Sequence, residues 1–508
     1  MFPLFLFPLW IDSHNPAGLE FLSDTRTSQA EVWASGARGG WVDFYQGDKT
    51  LEWGAQTQSL YRVNERWTLQ GEMCYRNSTS QHVTGSVFID PTDLPFDLLE
   101  YNRNREGETQ LEHYHLLGGM SGRVNRLWQW GLRTDFTAAN YAKRRDLRHQ
   151  NRLMQMDLSS GVVWSPAASL AVGLSYDWNR RVEGVSFNIA GTSDEDYYTL
   201  ISYGNFYGIK QLATSYDGYA STSNGMIPLV DERHRFSLQL GNAPRGKWQW
   251  FNELSYTSRS GYYGRESLYS IVYTDHEGKT LQEQSQVSWQ SNAGNLHRWQ
   301  LSAQWDELTN HENLFNEEQQ GGGLSRIVYQ GKMQRLEQKK VTADLTYTGQ
   351  VEATILQQPR WTWQSAVHYR HQEQRTTFFP MERWQEIGQY RCQVSGSHAW
   401  AQGRGAWTCQ LESALQWGDG TPCRDKNLSG GGTATTVAVS LDRYLHHQYE
   451  YLTARQWQAG MTMRYTFAFP SFMPYVEGAF GWQQTFHRPQ YVAENRAYGA
   501  TLRVGMDF

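Results

Sequence analysis

The chain closes on AYGATLRVGMDF, Ala497 to Phe508. Every second residue is apolar or aromatic: Tyr498, Ala500, Leu502, Val504, Met506 and Phe508. Between them stand Ala497, Gly499, Thr501, Arg503, Gly505 and Asp507. Successive side chains of a strand point to opposite faces, so this strand offers one face to hydrocarbon and the other to water. The split recurs upstream. Leu170, Val172, Leu174, Tyr176 and Trp178 oppose Ser169, Ala171, Gly173, Ser175, Asp177 and Asn179. Trp128, Trp130, Leu132 and Phe136 oppose Gln129, Arg133 and Asp135. Val287, Trp289, Trp299, Leu301, Ala303 and Trp305 oppose Gln284, Gln286, Ser288, Gln290, Gln300, Ser302, Gln304 and Asp306. A soluble sandwich also alternates, but its strands tend to be shorter. Many of these runs are long enough for a tilted membrane strand.

Composition agrees. The 508 residues are 14% aromatic with 22 Trp, yet mean hydropathy is polar at -0.67. A membrane barrel needs apolar residues only at alternate positions, plus aromatic girdles at both interfaces. No run reaches the roughly 18 apolar residues of a spanning helix. The longest, MFPLFLFPLW from Met1 to Trp10, carries Pro3 and Pro8 and has no basic start. It reads as a trimmed signal sequence or as a segment tucked into the barrel. A net charge of -5 without a basic block excludes the usual footprint of a nucleic-acid partner.

Connections give a second signal. Short turns fall near Asn64-Glu65, Asn125, Ser165-Pro166, 242–245, 292–295, 402–405 and Pro470-Ser471, with a polar gap at 357–359. Long polar segments alternate with them, near 81–107, 189–231, 309–335 and 419–450. Short periplasmic turns and long extracellular loops are the pattern of outer-membrane barrels. Trp67, Trp128, Trp248, Trp299, Trp361 and Trp407 follow short turns closely, and Trp457 lies a strand's length before one. They are the expected interface aromatics. The expected fold is therefore all-β: a closed antiparallel transmembrane barrel of about 18 strands (about 14 to 18, depending on weak segments 28–44, 266–292 and 433–449). Residues 1–26 are expected to be a signal remnant or a periplasmic or plug segment, and 27–508 the barrel.

Ahead of the first strand, Ser13 to Leu19 reads SHNPAGL. It resembles the NPAGL motif of FadL-like and related Bacteroidota outer-membrane barrels. As a whole the chain resembles an uncharacterised Bacteroidota barrel family of about this length. In that family an acidic, proline-containing stretch follows the third strand, here IDPTDLPFDLL from Ile89 to Leu99. The terminal Phe508 resembles the assembly signal of such barrels. The resemblance implies a Gram-negative outer membrane, contact with the barrel-assembly machinery and small-molecule uptake, and it carries over no functional residues. The strand count departs from that of the FadL type, which argues against transport of a hydrophobic substrate.

Enzyme chemistry is not expected. There is no GxSxG, HExxH or Walker pattern, and His398 beside Ser395 and Ser397 is crowding on one strand rather than a relay. His113 with His115, and His446 with His447 in the last long loop, offer two metal ligands each where a site needs three or four; no cofactor is expected. Parity places Cys392 and Cys409 on lipid, with Cys392 opposite about residue 413, Cys74 inward and Cys423 in an outer loop, so reduced thiols are expected.

The inward face carries Glu72, Arg133, Asp135, Glu253, Asp306, Lys340, Asp344, His368, Arg370, Arg464, Arg503 and Asp507. These either line an aqueous path or pair across the interior as a structural plug. Two functions follow. One is a channel or transporter for a small solute, alongside a TonB-dependent receptor. The other is a non-conducting scaffold whose outer loops bind a surface lipoprotein or ligand. A soluble secreted β protein is the remaining reading.

Overall fold

The computed structural model describes residues 9–22, 27–167, 169–190, 195–214, 218–220, 222, 225–242, 247–267, 270–291, 294–320, 324–351, 354–356, 358–429 and 437–508. The apolar start, Met1 to Pro8, lies outside the described residues. Eighteen strands form one antiparallel sheet. They are β1 Thr27–Arg38, β2 Lys49–Asn64, β3 Trp67–Val83, β4 Gly107–Arg123, β5 Trp128–Lys143 and β6 Arg148–Ala167. Then come β7 Leu170–Asn188, β8 Ile227–Gly241, β9 Trp248–Ser267, β10 Ser270–Gln290, β11 Leu296–Gln320 and β12 Leu324–Gln350. The last are β13 Trp361–Phe378, β14 Met381–Gln402, β15 Gly405–Asn427, β16 Gln456–Phe467, β17 Met473–Thr485 and β18 Arg496–Asp507. Pairing of β18 with β1 closes the barrel, Val32 facing Val504. At the seam, Phe508 and Ser28 exchange both backbone hydrogen bonds, at 2.9 and 3.0 Å.

Alternation decides which way each side chain points. On β18, Tyr498, Leu502, Val504, Met506 and Phe508 are exposed on the outer face, while Arg503 turns inward to Glu477. Leu174 is 57% exposed, and its neighbours Gly173 and Ser175 are buried. An exposed belt of Leu, Val and Phe around a closed sheet has hydrocarbon as its solvent, because water would penalise every one of those side chains. This is a transmembrane barrel of the bacterial outer-membrane type. Replacing Leu174 with Arg is expected to cost about 2–4 kcal/mol of barrel stability, read from urea unfolding in vesicles. Gln284→Arg, on the wet face of β10, should cost less than half as much.

Aromatic side chains mark both edges of the belt. Beside the short turns, Trp67 meets Trp130 at 5.5 Å, Trp128 meets Trp164 at 6.2 Å and Trp248 stacks on Trp289 at 5.5 Å. Trp299 with Tyr347, Trp361 with His398 and Trp407 with Tyr465 continue that edge. Trp457 lies at the other edge, against Trp482 at 5.0 Å. A polar break interrupts the belt on β9 and β10. Glu283 and Ser285 share the outward parity of Leu281 and Val287, and the Ser285 hydroxyl lies 2.7 Å from Asn252 Oδ1 and 3.1 Å from Glu283 Oε1.

Several expectations need correction. The region 309–335 is no open loop, since β11 and β12 stay paired from Leu296–Gln350 out to Gln320–Leu324. The expected loop at 419–450 begins as strand, because β15 runs to Asn427; Cys423 therefore sits on a strand. His446 and His447 belong to a helix, α1 Asp442–Thr453, so the described residues 437–449 supply no barrel strand. Cys392 faces Leu415 rather than residue 413. All four cysteines are free.

Strand length positions the interior. β11 and β12 have 25 and 27 residues, whereas β1, β16 and β18 have 12 each. The outer rim is therefore high on one side and low at the seam.

Candidate functional site

The barrel's interior is filled from both ends. From the periplasmic side, residues 9–22 lie against the inner wall and form a short 3-10 turn, Pro16–Phe21. Asn15 caps this turn by accepting from the Ala17 amide at 3.0 Å. Its amide nitrogen donates to the Val162 carbonyl and to Gln239 Oε1, each at 3.0 Å. Gln239 passes the network to Glu253 at 3.0 Å, and Glu253 also binds the backbone and ring of His14. Glu20, fully buried, accepts from Arg62 and Thr68 at 3.2 Å and from Ser121 at 3.3 Å. Trp10 and Leu9 pack with Val163, Ala171 and Phe251.

The wall is cut to receive this segment. A Cβ on Gly131 would stand 2.3 Å from the Pro16 carbonyl carbon, and one on Gly161 would stand 2.1 Å from Asn15 Oδ1. The SHNPAGL stretch thus has a mechanical meaning. Asn15 caps and anchors, Pro16 starts the turn and Leu19 packs on Leu22 and Leu60.

From the outside, the described parts of connections 84–106, 189–226 and 428–455 fold into a cap. Strands Asp97–Glu100, Tyr198–Ser202, Tyr207–Leu212 and Val439–Ser440 make a four-stranded sheet inside the rim. Its core joins Val87, Phe88, Phe96 and Leu98 to Tyr263, Tyr273 and Phe378 of the barrel wall. A second cluster joins Phe44, Leu99 and Leu200 to Tyr444 and Leu445 of α1. Polar fasteners tie cap to wall. Glu100 forms a buried ion pair with Lys143, Asn310 donates to the Pro95 carbonyl at 2.9 Å, and Glu183 accepts from the Ile89 amide at 2.9 Å.

A buried carboxyl beside the cap titrates. Asp43 is 6% exposed, and burial pushes its carboxyl up to about 7, with the Phe44 amide and Arg370 offsetting only part of that. The folded state therefore holds a proton that the unfolded state releases near 3.8. Its stability contribution is present at low pH and lost as pH rises through the interval from about 4 to about 7. Protection factors for amides 41–46 are expected to fall across that interval and level off above it. Equal protection at both ends would refute the assignment.

Between segment and cap, the sequence-derived interior residues divide into small groups. His115 bridges Asp135 at 2.9 Å and Glu72 at 3.5 Å. Arg133 reaches Ser159 at 3.4 Å and Asp177 at 3.9 Å. His368 meets Asp344, Arg370 donates to Gln372 at 2.6 Å, and Arg464 with Arg503 brackets Glu477. Asp507 lies opposite Gln29 at the seam. Asp306 accepts from Thr280 at 2.6 Å and lies 4.0 Å from Lys340. Of the twelve, Glu253 is the one that bonds the described N-terminal residues 9–22.

Sequence reading missed the residues around this last pair. Arg233 on β8 lies 2.8 Å from Asp231 and 2.9 Å from Asp93 of the cap, and Arg259 on β9 lies 2.7 Å from Asp231. Arg233 and Arg235 are two apart, so period-two parity applied to β8 would have put both on the wet face.

On the far side, β14–β18 and β1 border a cavity of about 270 Å³. Arg391, Gln393, Glu412, Gln458 and Gln483 supply its polar groups. Gly481 faces open space, with nothing within 4 Å of where its Cβ would be. The N-terminal turn packs on β3–β6, away from this wall.

Residues 16–508 match a family described as a family of unknown function, DUF6850. The chain belongs to this family. Among curated proteins none matches the chain. Solved structures similar to this member include BauA, the ferric preacinetobactin receptor of Acinetobacter baumannii. That match has a TM-score of 0.44 and 8% identity, covering 96% of this chain and 80% of that one. The ferric yersiniabactin uptake receptor FyuA of Yersinia pestis matches with TM-score 0.39 and 9% identity, over 96% and 80%. A Pseudomonas aeruginosa FadL homologue matches with TM-score 0.32 and 10% identity, over 100% and 96%.

Proposed function

We propose that this DUF6850 protein passes a small polar solute across the outer membrane, along the inner wall formed by β14–β18 and β1. The cavity on that wall carries the reading. Its amide and charged groups can exchange hydrogen bonds with a hydrated solute, and its glycine and alanine backbone leaves room for one. The segment fills the opposite side and the cap, whose helix α1 packs on β14 and β15, covers the outer end, so a path would be narrow and gated rather than a wide pore.

Planar-bilayer recording tests this. Small discrete conductance steps are expected, and Gly481→Trp, which projects into the cavity, should reduce them at least severalfold. A barrel that stays silent even when the N-terminal segment has been released would contradict the proposal.

One observation favours a second reading. The cap has its own sheet and hydrophobic core, as a platform for a surface lipoprotein or a TonB-dependent receptor would. Replacing 198–212 by a short linker separates the two, since a scaffold should lose its partner while a channel should still conduct.

A further inference from the structure

The cap's acidic stretch reaches into the barrel. There, a cavity of about 100 Å³ is lined by Asp93 together with Arg233, Arg235, Arg259, Lys340 and Asp306. Asp93 lies 2.9 Å from Arg233, 3.7 Å from Arg259 and 3.8 Å from Lys340. Burial alone would raise its carboxyl, but Arg259, Arg233 and Lys340 hold it below the usual carboxylate range. The barrel wall does not need Asp93 to hold these cations in place. Asp231 already fixes Arg233 and Arg259, and Asp306 stands beside Lys340. Arg235 donates to a neutral partner, the Thr257 hydroxyl, at 3.3 Å. With Lys279 paired to Glu307 at 2.9 Å, four wall cations thus face two wall carboxylates, Asp231 and Asp306, and a further carboxylate comes from a loop.

Asp93 is also placed to leave. Its side chain is 47% exposed, whereas that of Asp231 is 5% exposed. Only its carboxylate and its backbone carbonyl, which accepts from Arg259 at 2.9 Å, engage the cluster.

We propose that Arg233, Arg235, Arg259 and Lys340 form a binding site for a small carboxylate anion, and that Asp93 occupies it as a tethered stand-in until the solute displaces it. The site takes carboxylates by charge and by the paired N–H groups of its guanidiniums. Displacing Asp93 removes one of the ties between the stretch 89–97 and the wall, leaving those of Ile89 and Pro95, which couples solute binding to loosening of the cap. That coupling rests on the transport reading above; the binding itself does not.

Calorimetric titration of the detergent-solubilised protein with succinate tests the site without requiring transport. A tethered competitor acts at an effective concentration in the millimolar range. Asp93→Asn is therefore expected to bind succinate about tenfold more tightly than the unaltered protein. Asp90→Asn removes the same charge from the same loop away from the cluster, and should change affinity less than twofold. Adding Lys340→Gln to Asp93→Asn should cancel the gain. Equal effects of Asp93→Asn and Asp90→Asn would overturn the proposal, leaving only general electrostatics. So would an absence of binding in both Asp93→Asn and a second variant, Asp93→Ser, when heat-resistant gel migration shows an intact barrel. If binding is as expected but bilayers stay silent, the site stands and the transport reading falls.

Discussion

A leucine at Gly161 is expected to drive the N-terminal segment off the barrel wall. The position has no room for even one carbon, since a Cβ would overlap Asn15 Oδ1 at 2.1 Å. Overpacking a site of this kind costs about 1–3 kcal/mol. The displaced Asn15 would also lose its bonds to Val162 and Gln239, and polar groups stripped of buried partners cost about 1–3 kcal/mol each. The barrel can avoid these costs together by releasing the segment into water. Residues 9–22 should then become cleavable by protease, and single-channel conductance should rise manyfold. Gly478→Leu is the control. It lies on the lipid face with nothing within 4 Å of its Cβ position, so both readouts should stay unchanged. A Gly161→Leu protein with a protected segment would show that the glycine does not seat it.

Cutting the Lys143–Glu100 pair should have an effect of similar size at the other end. The two side chains are 0% and 5% exposed, so Lys143→Met leaves a carboxylate stranded between cap and wall. Losing one partner of a buried pair costs about 3–5 kcal/mol, whereas replacing both by apolar groups is often neutral. Protease cutting within 84–106 should therefore rise by two orders of magnitude or more in Lys143→Met. It should return towards the original rate in Lys143→Met with Glu100→Leu. Barrel unfolding, carried by the other strands, should change little. A double variant as labile as the single one would mean that packing, and not the stranded charge, governs the cap.

The barrel was legible because one rule, alternation, acts on each strand independently of the others. It located the wet and greasy rows of β5, β7, β11 and β18, and the short turns marked the ends. Other features depend on partners far along the chain. Asp97–Glu100 pairs with Tyr198–Ser202, about a hundred residues away, and no local period announces that. The outer ends of β11 and β12 read as loop because sequence such as NEEQQ, Asn316 to Gln320, carries no greasy row. Where both faces of a strand meet water, alternation has no physical cause. The helix α1 escaped notice for a related reason. Its sequence DRYLHHQYEYLT buries Tyr444 and Leu445 but few other residues, too few to print a helical stripe. Among charges, strand parity identified inward-facing residues one at a time. It could not tell that Arg233 and Arg259 share Asp231 while Arg464 and Arg503 share Glu477, since that depends on register between strands.

The claim beneath all of this is that β18 and its neighbours separate hydrocarbon from a wet interior. A cysteine scan from Ala497 to Asp507, with the four native cysteines replaced and each thiol carrying a nitroxide, measures it directly. Collisions with oxygen, which concentrates in lipid, should peak at 498, 500, 502, 504 and 506. Collisions with a water-soluble nickel complex should peak at 497, 499, 501, 503 and 505. The opposite phase, or no alternation, would mean that the apolar row does not face a membrane, and the account would fail with it.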